Sequence, residues 1–362
     1  MPLSKIPSAG FQDNVKFRNI IINGDMSIAQ RGTSQASITS AGYYTVDRFN
    51  FNVSSLGTWT QSQETDVPSG QGFAKSLKLD CTTADGSPAA GDVLVLEHRI
   101  EGQNLQYLKK GTSSAESLTL SFWVKSSKTG TYIAELFDND NTRQISKSYT
   151  IDTADTWEKK TITYAGDTTG TLGNDNGFSL MVAFWLGAGS NFTSGTLNTS
   201  WNSNTNANRA VGQVNLGDNT SNEWYITGIQ LEAGSQASDF EFLPHDINLQ
   251  KCYRYYQDIP YVFDQPICNA SNFNTSVAYG VFKLFTTMRS IPSLDQASGS
   301  NYYRYYNDGN SEDKFDSFAI GSEGNGNLIR INNADSMTID SGESGWFTMI
   351  NSSSKLAFDA EL

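Results

Sequence analysis

The sequence predicts an all-β protein: a jelly-roll β-sandwich, then a short linking helix and a second, smaller β-domain. Three observations carry this. Lys, Glu, Arg and Leu are sparse, while Gly, Ser, Thr, Asn and Asp dominate. The 362 residues include 20 Phe, 16 Tyr and 7 Trp, an aromatic density that supplies a core and argues against disorder. Aromatic and β-branched residues recur with a period of two between polar turns.

Residues 1–17, with Pro2, Pro7 and Gly10, lack periodicity and read as a segment that is extended or becomes ordered only on docking. Arg18 to Ser34, RNIIINGDMSIAQRGTS, joins an apolar run to a half-apolar stretch through Asn23-Gly24, which predicts strand, turn, strand. Over 18–245 the alternation continues. Phe49, Phe51 and Val53 share one face, as do Leu77, Leu79 and Cys81, then Leu118, Leu120, Phe122 and Val124. Val93–Leu96, Ile133–Phe137, Ile162–Tyr164, Phe178–Leu186 and Trp224–Leu231 complete a set of about eight strands, enough for an antiparallel jelly roll. Residues 187–222, rich in Asn, Ser, Thr and Gly, form a long insertion of the kind that serves function or an interface. Residues 246–260 hold the linking helix: Asp246 can cap Ile247–Gln257, Leu249, Cys252, Tyr253 and Tyr256 fall at helical spacing, and Pro260 stops it. The 261–362 domain reads as short strands at Tyr261–Phe263, Ala278–Phe285, Phe315–Ile320, Leu328–Ile331, Met337–Ile339 and Trp346–Ile350. No heptad or Gly-X-Y run is present, so a long coiled-coil or collagen-like shaft is not expected.

Several strings resemble, in the same order, tail-fibre and receptor-binding proteins of tailed bacteriophages, above all those infecting marine bacteria. They are NGDMSIAQRG at 23–32 with YYTVDRFNF at 43–51, WYITGIQL at 224–231 with EAGSQASDFEFLP at 232–244, LQKCYRYYQ at 249–257, and LAFDAEL at 356–362. The chain departs from that family at His245-Asp246-Ile247-Asn248, where a basic-Ser-Tyr-Gly stretch is usual. The resemblance implies a sandwich like that of carbohydrate-binding modules, attachment to phage tail proteins through residues 1–17, and a threefold homo-oligomer. It also implies a virion location, with assembly in the host cytoplasm and action at the host surface. The expected ligand is a host cell-surface polysaccharide, and the outer receptor-binding end is expected in the 261–362 domain.

Charge and motif content narrow the chemistry. A net charge of −13 weighs against nucleic acid, whose phosphates need clustered Lys and Arg. No apolar run is long enough for a membrane-spanning helix, and the N-terminus lacks the apolar core of a signal peptide. Cys81, Cys252 and Cys268 are too few and scattered for a disulfide framework and read as small buried hydrophobes. Only His98 and His245 are available for acid–base work; neither adjoins a Gly-x-Ser-x-Gly elbow, and His98 reads as a surface or half-buried strand residue. A polysaccharide depolymerase needs only a carboxylate pair, and nothing among 38 Asp and Glu singles one out. The expectation is therefore a non-enzymatic protein without a cofactor. Asp138, Asp140 and Asp175 lie in Asn/Asp/Gly-rich turns that offer oxygen ligands for Ca²⁺, but they lack the twelve-residue loop with a closing Glu, and plain Asx-turns are the favoured reading.

Aromatic residues supply the glycan-binding candidates. The alternation that sends Phe122 and Phe184 inward sends Trp123 and Trp185 to the opposite faces of their strands. An outward indole serves either a neighbouring subunit or a sugar ring. In the distal domain, Tyr303, Arg304, Tyr305 and Tyr306, flanked by Asn301, Asn307 and Asp308, have the composition of an adaptable recognition surface.

Overall fold

A computed structural model of the chain describes residues 17–307, 312–324, 326–338 and 342–362. Residues 1–16, Asp308 and Ile339, which enter the sequence expectations, lie outside the described residues. One compact unit ends at Pro244 and a second begins at His245.

The first unit contains β1 (Ser34–Ile38), β2 (Gly42–Tyr43), β3 (Asn50–Ser54), β4 (Thr58–Glu64), β5 (Ser76–Thr83), β6 (Val93–Glu101) and β7 (Leu118–Ser126). It continues with β8 (Gly130–Asp138), β9 (Arg143–Ile151), β10 (Glu158–Tyr164), β11 (Phe178–Ala188), the helical turn α1 (Ser190–Thr193), β12 (Asn202–Ser203) and β13 (Glu223–Ala233). Six strands order as β1-β4-β5-β13-β7-β10 and seven as β12-β9-β8-β11-β6-β3-β2, with antiparallel pairing throughout. Non-consecutive neighbours such as β13 between β5 and β7 make this a jelly roll rather than a meander. Its core is built by one face of each sheet. Trp59, Leu79, Leu120, Phe122, Trp224 and Leu231 come from one, and Phe51, Leu96, Leu136, Val182 and Phe184 from the other. Phe122 meets Phe184 edge-on across the layers at 5.0 Å.

The stretch from Arg18 to Ser34 is not the expected hairpin. It runs without strand pairing until β1, and Ile21, Met26 and Ile28 are all buried, so no face is left for alternation. Asn23, at φ 62°, donates through its amide to the Ile28 and Asp47 carbonyls, while its side-chain oxygen accepts from Ile28 N–H. Ile20 N–H donates to the Leu231 carbonyl and Ile229 N–H to the Gly24 carbonyl, which ties the segment to β13. A Cβ at Gly24 would overlap the Ile229 carbonyl oxygen. The Arg18–Ser34 string is thus an irregular plug tied by its own side chains and by β13.

β13 carries a register break between Thr227 and Gln230, so the core residues are Trp224, Ile226, Ile229 and Leu231. Gly228 lies in that break at φ 62°, a left-handed conformation that favours glycine.

The second unit contains α2 (His245–Tyr253), β14 (Tyr256–Ile259), β15 (Pro266–Asn272), β16 (Ala278–Lys283), β17 (Ser293–Ala297) and β18 (Tyr303–Asn307). It ends with β19 (Glu312–Phe315), β20 (Phe318–Gly324), β21 (Leu328–Asn333), β22 (Ser344–Met349) and β23 (Lys355–Asp359). These strands order as β14-β23-β17 and as β19-β18-β22-β15-β16-β21-β20 around a core that includes Phe282, Tyr303, Phe318, Phe347 and Phe358. The helix begins one residue before Asp246, which therefore sits in its first turn. It also ends earlier than its apolar spacing suggests. Tyr256–Ile259 pairs with β23, and the Gln257 amide donates to the Tyr253 carbonyl at the helix end. Tyr261–Phe263 is no strand: Gln265 N–H closes a turn on Val262, leaving Val262 and Phe263 exposed. Met337 is buried but unpaired as a strand, bonding instead to the Ser276 carbonyl.

Candidate functional site

Trp185 leaves the core face of β11 but does not reach solvent. It is 2 % exposed, within a separate apolar cluster of Val95, Ile133, Met181, Ala183 and Ala210. Phe192 of α1 packs on its ring at 5.4 Å, so the 187–222 insertion covers this outer face of the seven-stranded sheet. The indole N–H donates to the Glu135 carboxylate at 2.9 Å, and Arg209 bonds the same carboxylate with two nitrogens. The Arg209 guanidinium also lies 5.0 Å from the Trp185 ring. Both outward roles expected of Trp185, sugar platform and subunit contact, are corrected: the chain's own insertion occupies the space.

Trp123 has a different environment. It is half-buried on the outer face of the six-stranded sheet, opposite Lys159 of β10 and Thr227 of β13. It lines a cavity of about 140 Å³ with Gln71, Phe73, Ser121, Lys159, Gly228, Asp239, Phe240 and Phe242. Phe73, Phe240 and Phe242 contact one another with centroids 4.8 to 5.1 Å apart. Phe242 is 49 % exposed, so the aromatic wall opens to solvent.

Further along the same face, Trp157 is also half-buried, with its indole N–H donating to Asp66 at 2.9 Å. Lys125 ion-pairs with Asp66 and lies 4.1 Å from the Tyr225 centroid, while Tyr225 donates its hydroxyl to Glu223, the partner of Lys78. Partial burial alone would raise the Asp66 and Glu223 carboxyls. The Lys125 and Trp157 bonds to Asp66, and the Lys78 and Tyr225 bonds to Glu223, outweigh it and hold both below the ordinary carboxylate range. The network is therefore charged at neutral pH and fixes the edge of Trp157.

The Tyr303–Tyr306 surface is corrected in part. In β18 the period of two buries Tyr303 and Tyr305 completely. The Tyr303 hydroxyl donates to the Ala297 and Lys355 carbonyls, and its ring packs on Phe318 at 4.7 Å, so neither tyrosine offers a ring to a sugar. Arg304 and Tyr306 face outward. Arg304 is held by Asp264 and Glu312, and Tyr306 lies against Trp346 at 5.1 Å.

Asp138 is also reassigned. It is buried, and its carboxylate accepts from Lys110 and the Asn141 amide. Lys110 bonds Asp167 as well, and Arg143 completes this closed ion network. Asp175 accepts from Gly177 N–H at 2.8 Å, as a turn-closing side chain does, while Asp140 accepts from Gly173 N–H at 2.8 Å and so ties two separate turns together. Among the described residues no group of three or more His, Cys, Asp or Glu is placed to hold a metal ion.

His98 is buried rather than superficial. Its Nε2 accepts from Ile22 N–H at 3.4 Å and its ring lies 5.0 Å from Phe49; burial, followed by the Arg48 charge, holds its pKa well below the usual value. Cys81 and Cys252 are buried and Cys268 half-buried, all as free thiols.

A wider groove of about 810 Å³ lies along Phe17, Arg18, Tyr107 and Glu232–Ser238. Half of that second lining is Ala, Gly and Ser, and it brings two aromatic rings where the Trp123 cavity brings four. The Trp123 cavity combines four rings with four polar residues, and it is the better candidate site. Sequence reasoning named Trp123 and missed Phe73, Phe240, Phe242 and Trp157. The alternation of Phe240 and Phe242 around Glu241 was the available signal.

No family model matches the chain, and no curated protein sequence matches it. Solved structures similar to it include the enzymatically active domain of tailspike protein 4 from bacteriophage CBA120, at 13 % identity and TM-score 0.31, covering 60 % of this chain and 21 % of that one. A putative sugar binding protein from Bacteroides thetaiotaomicron aligns at 14 % identity and TM-score 0.32, over 59 % of this chain and 99 % of its own. A family 11 carbohydrate-binding module from Clostridium thermocellum, complexed with a mixed-linked tetrasaccharide, aligns at 12 % identity and TM-score 0.28, over 57 % and 99 %. Likenesses at such scores assign this chain no ligand, partner or activity.

Proposed function

We propose that this chain is a non-enzymatic adhesin of a tailed-phage virion, a tail fibre or tail-tip protein that recognises a bacterial surface glycan through its sandwich. The observation that carries the glycan reading is the solvent-open aromatic cavity at Trp123, with Trp157 beyond it on the same sheet face. Aromatic faces stack on the apolar side of a sugar ring, and flanking amide, hydroxyl and charged groups bond its hydroxyls. The virion reading is supported by the ordered sequence motifs. Their residues serve the fold: the Asn23-Gly24 string plugs the sandwich and the LAFDAEL string supplies β23. They speak to family and leave the ligand to the cavity.

In this proposal residues 1–17 attach the protein to tail proteins, the particle is assembled in the host cytoplasm, and three copies act together at the host surface without a cofactor. Threefold assembly would let weak single-site contacts add through avidity. Trp185 gives no reason for a neighbouring subunit, so the trimer is supported only by the family resemblance. A light-scattering mass of three chains is the expected result, and a monomer at micromolar concentration would remove it from the proposal.

The function is tested by titrating host surface polysaccharide into the full chain by calorimetry, alongside Trp123→Ala. Binding should weaken at least tenfold, about 1.4 kcal/mol, in a variant that still melts cooperatively. Unchanged binding by the folded variant would refute the site. A rise in reducing ends on incubation would make the protein a depolymerase instead.

A further inference from the structure

This inference rests on the glycan reading and names the group that the cavity takes. We infer that the Trp123 cavity receives the acetamido substituent of an N-acetylated sugar. At about 140 Å³ it is smaller than the pockets that enclose a whole drug-sized ligand, roughly 300 to 1,000 Å³. It suits one ring substituent more than an entire saccharide, whose ring would lie outside, toward Trp157.

The lining residues include a group of each kind that an acetamide needs. A methyl group needs an apolar wall, supplied by Trp123, Phe73, Phe240 and Phe242. An amide N–H needs an acceptor, and Asp239 brings a carboxylate; an amide carbonyl needs donors, and Lys159 and Gln71 bring an ammonium and a carboxamide. Among the described residues, neither the Lys159 ammonium nor the Asp239 carboxylate is engaged in an ion pair, so both are available to a ligand.

Aromatic walls also suit a quaternary ammonium. The cavity carries one ammonium, Lys159, and one carboxylate, Asp239; a neutral amide uses both as donor and acceptor, whereas a permanent cation would use only Asp239 and be repelled by Lys159. The wall is also set by the backbone. Phe73 packs over the register break of β13, where a Cβ at Gly228 would stand 2.5 Å from its ring.

The test is a glycan array of matched oligosaccharide pairs differing only by acetamido in place of hydroxyl, read with the full chain. The acetamido member of each bound pair should bind at least tenfold more tightly. Saturation transfer from the protein should be strongest at the acetyl methyl. Phe240→Ala should reduce the preference to threefold or less. Lys159→Met, an exposed change that spares the core, should also shrink it. Binding without acetamido preference would overturn this inference and leave the glycan reading standing. Binding to no glycan would overturn both, and choline displacing a bound glycan would identify the cavity as a cation site.

Discussion

The two outer faces of the sandwich start from the same local pattern and end differently. On β7, Trp123 lies between Phe122 and Val124; on β11, Trp185 lies between Phe184 and Leu186. Each indole points away from the main core. Over β11 the long insertion folds back, and Phe192, Ala210 and Arg209 seal Trp185 with Glu135 into a closed cluster. Over β7 the neighbouring loops supply Phe73, Phe240 and Phe242 but leave a cavity open to solvent. The difference teaches that period-two alternation fixes which face a side chain takes, while distant chain decides whether that face is structural or available.

The closed face should be expensive to disturb. Arg209→Ala would leave the fully buried Glu135 carboxylate without its cation, at a cost of about 3–5 kcal/mol. In a domain of this size that lowers the melting temperature by about 10 °C, measurable by calorimetry. A shift of a degree or two would mean that Glu135 is hydrated and the face is not closed. Trp185→Ala should fall in the same range, about 3–5 kcal/mol. Trp123→Ala, on the open face, should cost about 1 kcal/mol in chemical denaturation. Equal costs would erase the contrast.

The seven-stranded sheet should also bring a pH dependence from His98 on its inner side. Its folded pKa is depressed, so the unfolded chain binds the proton more readily. The neutral-state stability is complete above the unfolded value of about 6.5 and declines as pH falls below it, by at most about 1.4 kcal/mol per pH unit. Denaturation at pH 7, 6 and 5 should show this slope and His98→Gln should reduce it; identical slopes would place the titration elsewhere. The smallest effect belongs to Lys159→Met on the open face, within about 0.5 kcal/mol of wild type.

Much of this division was legible in the sequence, and its limits are physical. The registers of β7 and β11 follow from alternation alone, which is why both tryptophans were singled out. Nothing local to Trp185 reports that residues some distance along the chain return over it. The same rule, applied to β18 as a strand, would have placed Tyr303 and Tyr305 inward and Arg304 and Tyr306 outward. Composition suggested a recognition loop instead. Asn23-Gly24 had the chemistry of a hairpin turn, but the burial of Ile21, Met26 and Ile28 and the bonds to β13 outweighed that preference. Phe240 and Phe242 belonged to a string noticed only for its family likeness, and their meeting with Phe73 is a tertiary contact that no short-range pattern encodes.

The central claim is that the open face meets the glycan and the closed face does not. Fluorine NMR of the chain labelled with 5-fluorotryptophan tests it directly, because the 7 tryptophans report on both faces, the core and the second unit at once. On titration with host polysaccharide, the Trp123 and Trp157 resonances should shift while those of Trp185, Trp59 and Trp224 stay fixed. A shift confined to Trp346 of the second unit, or one that moves Trp185 and leaves Trp123 in place, would contradict the account.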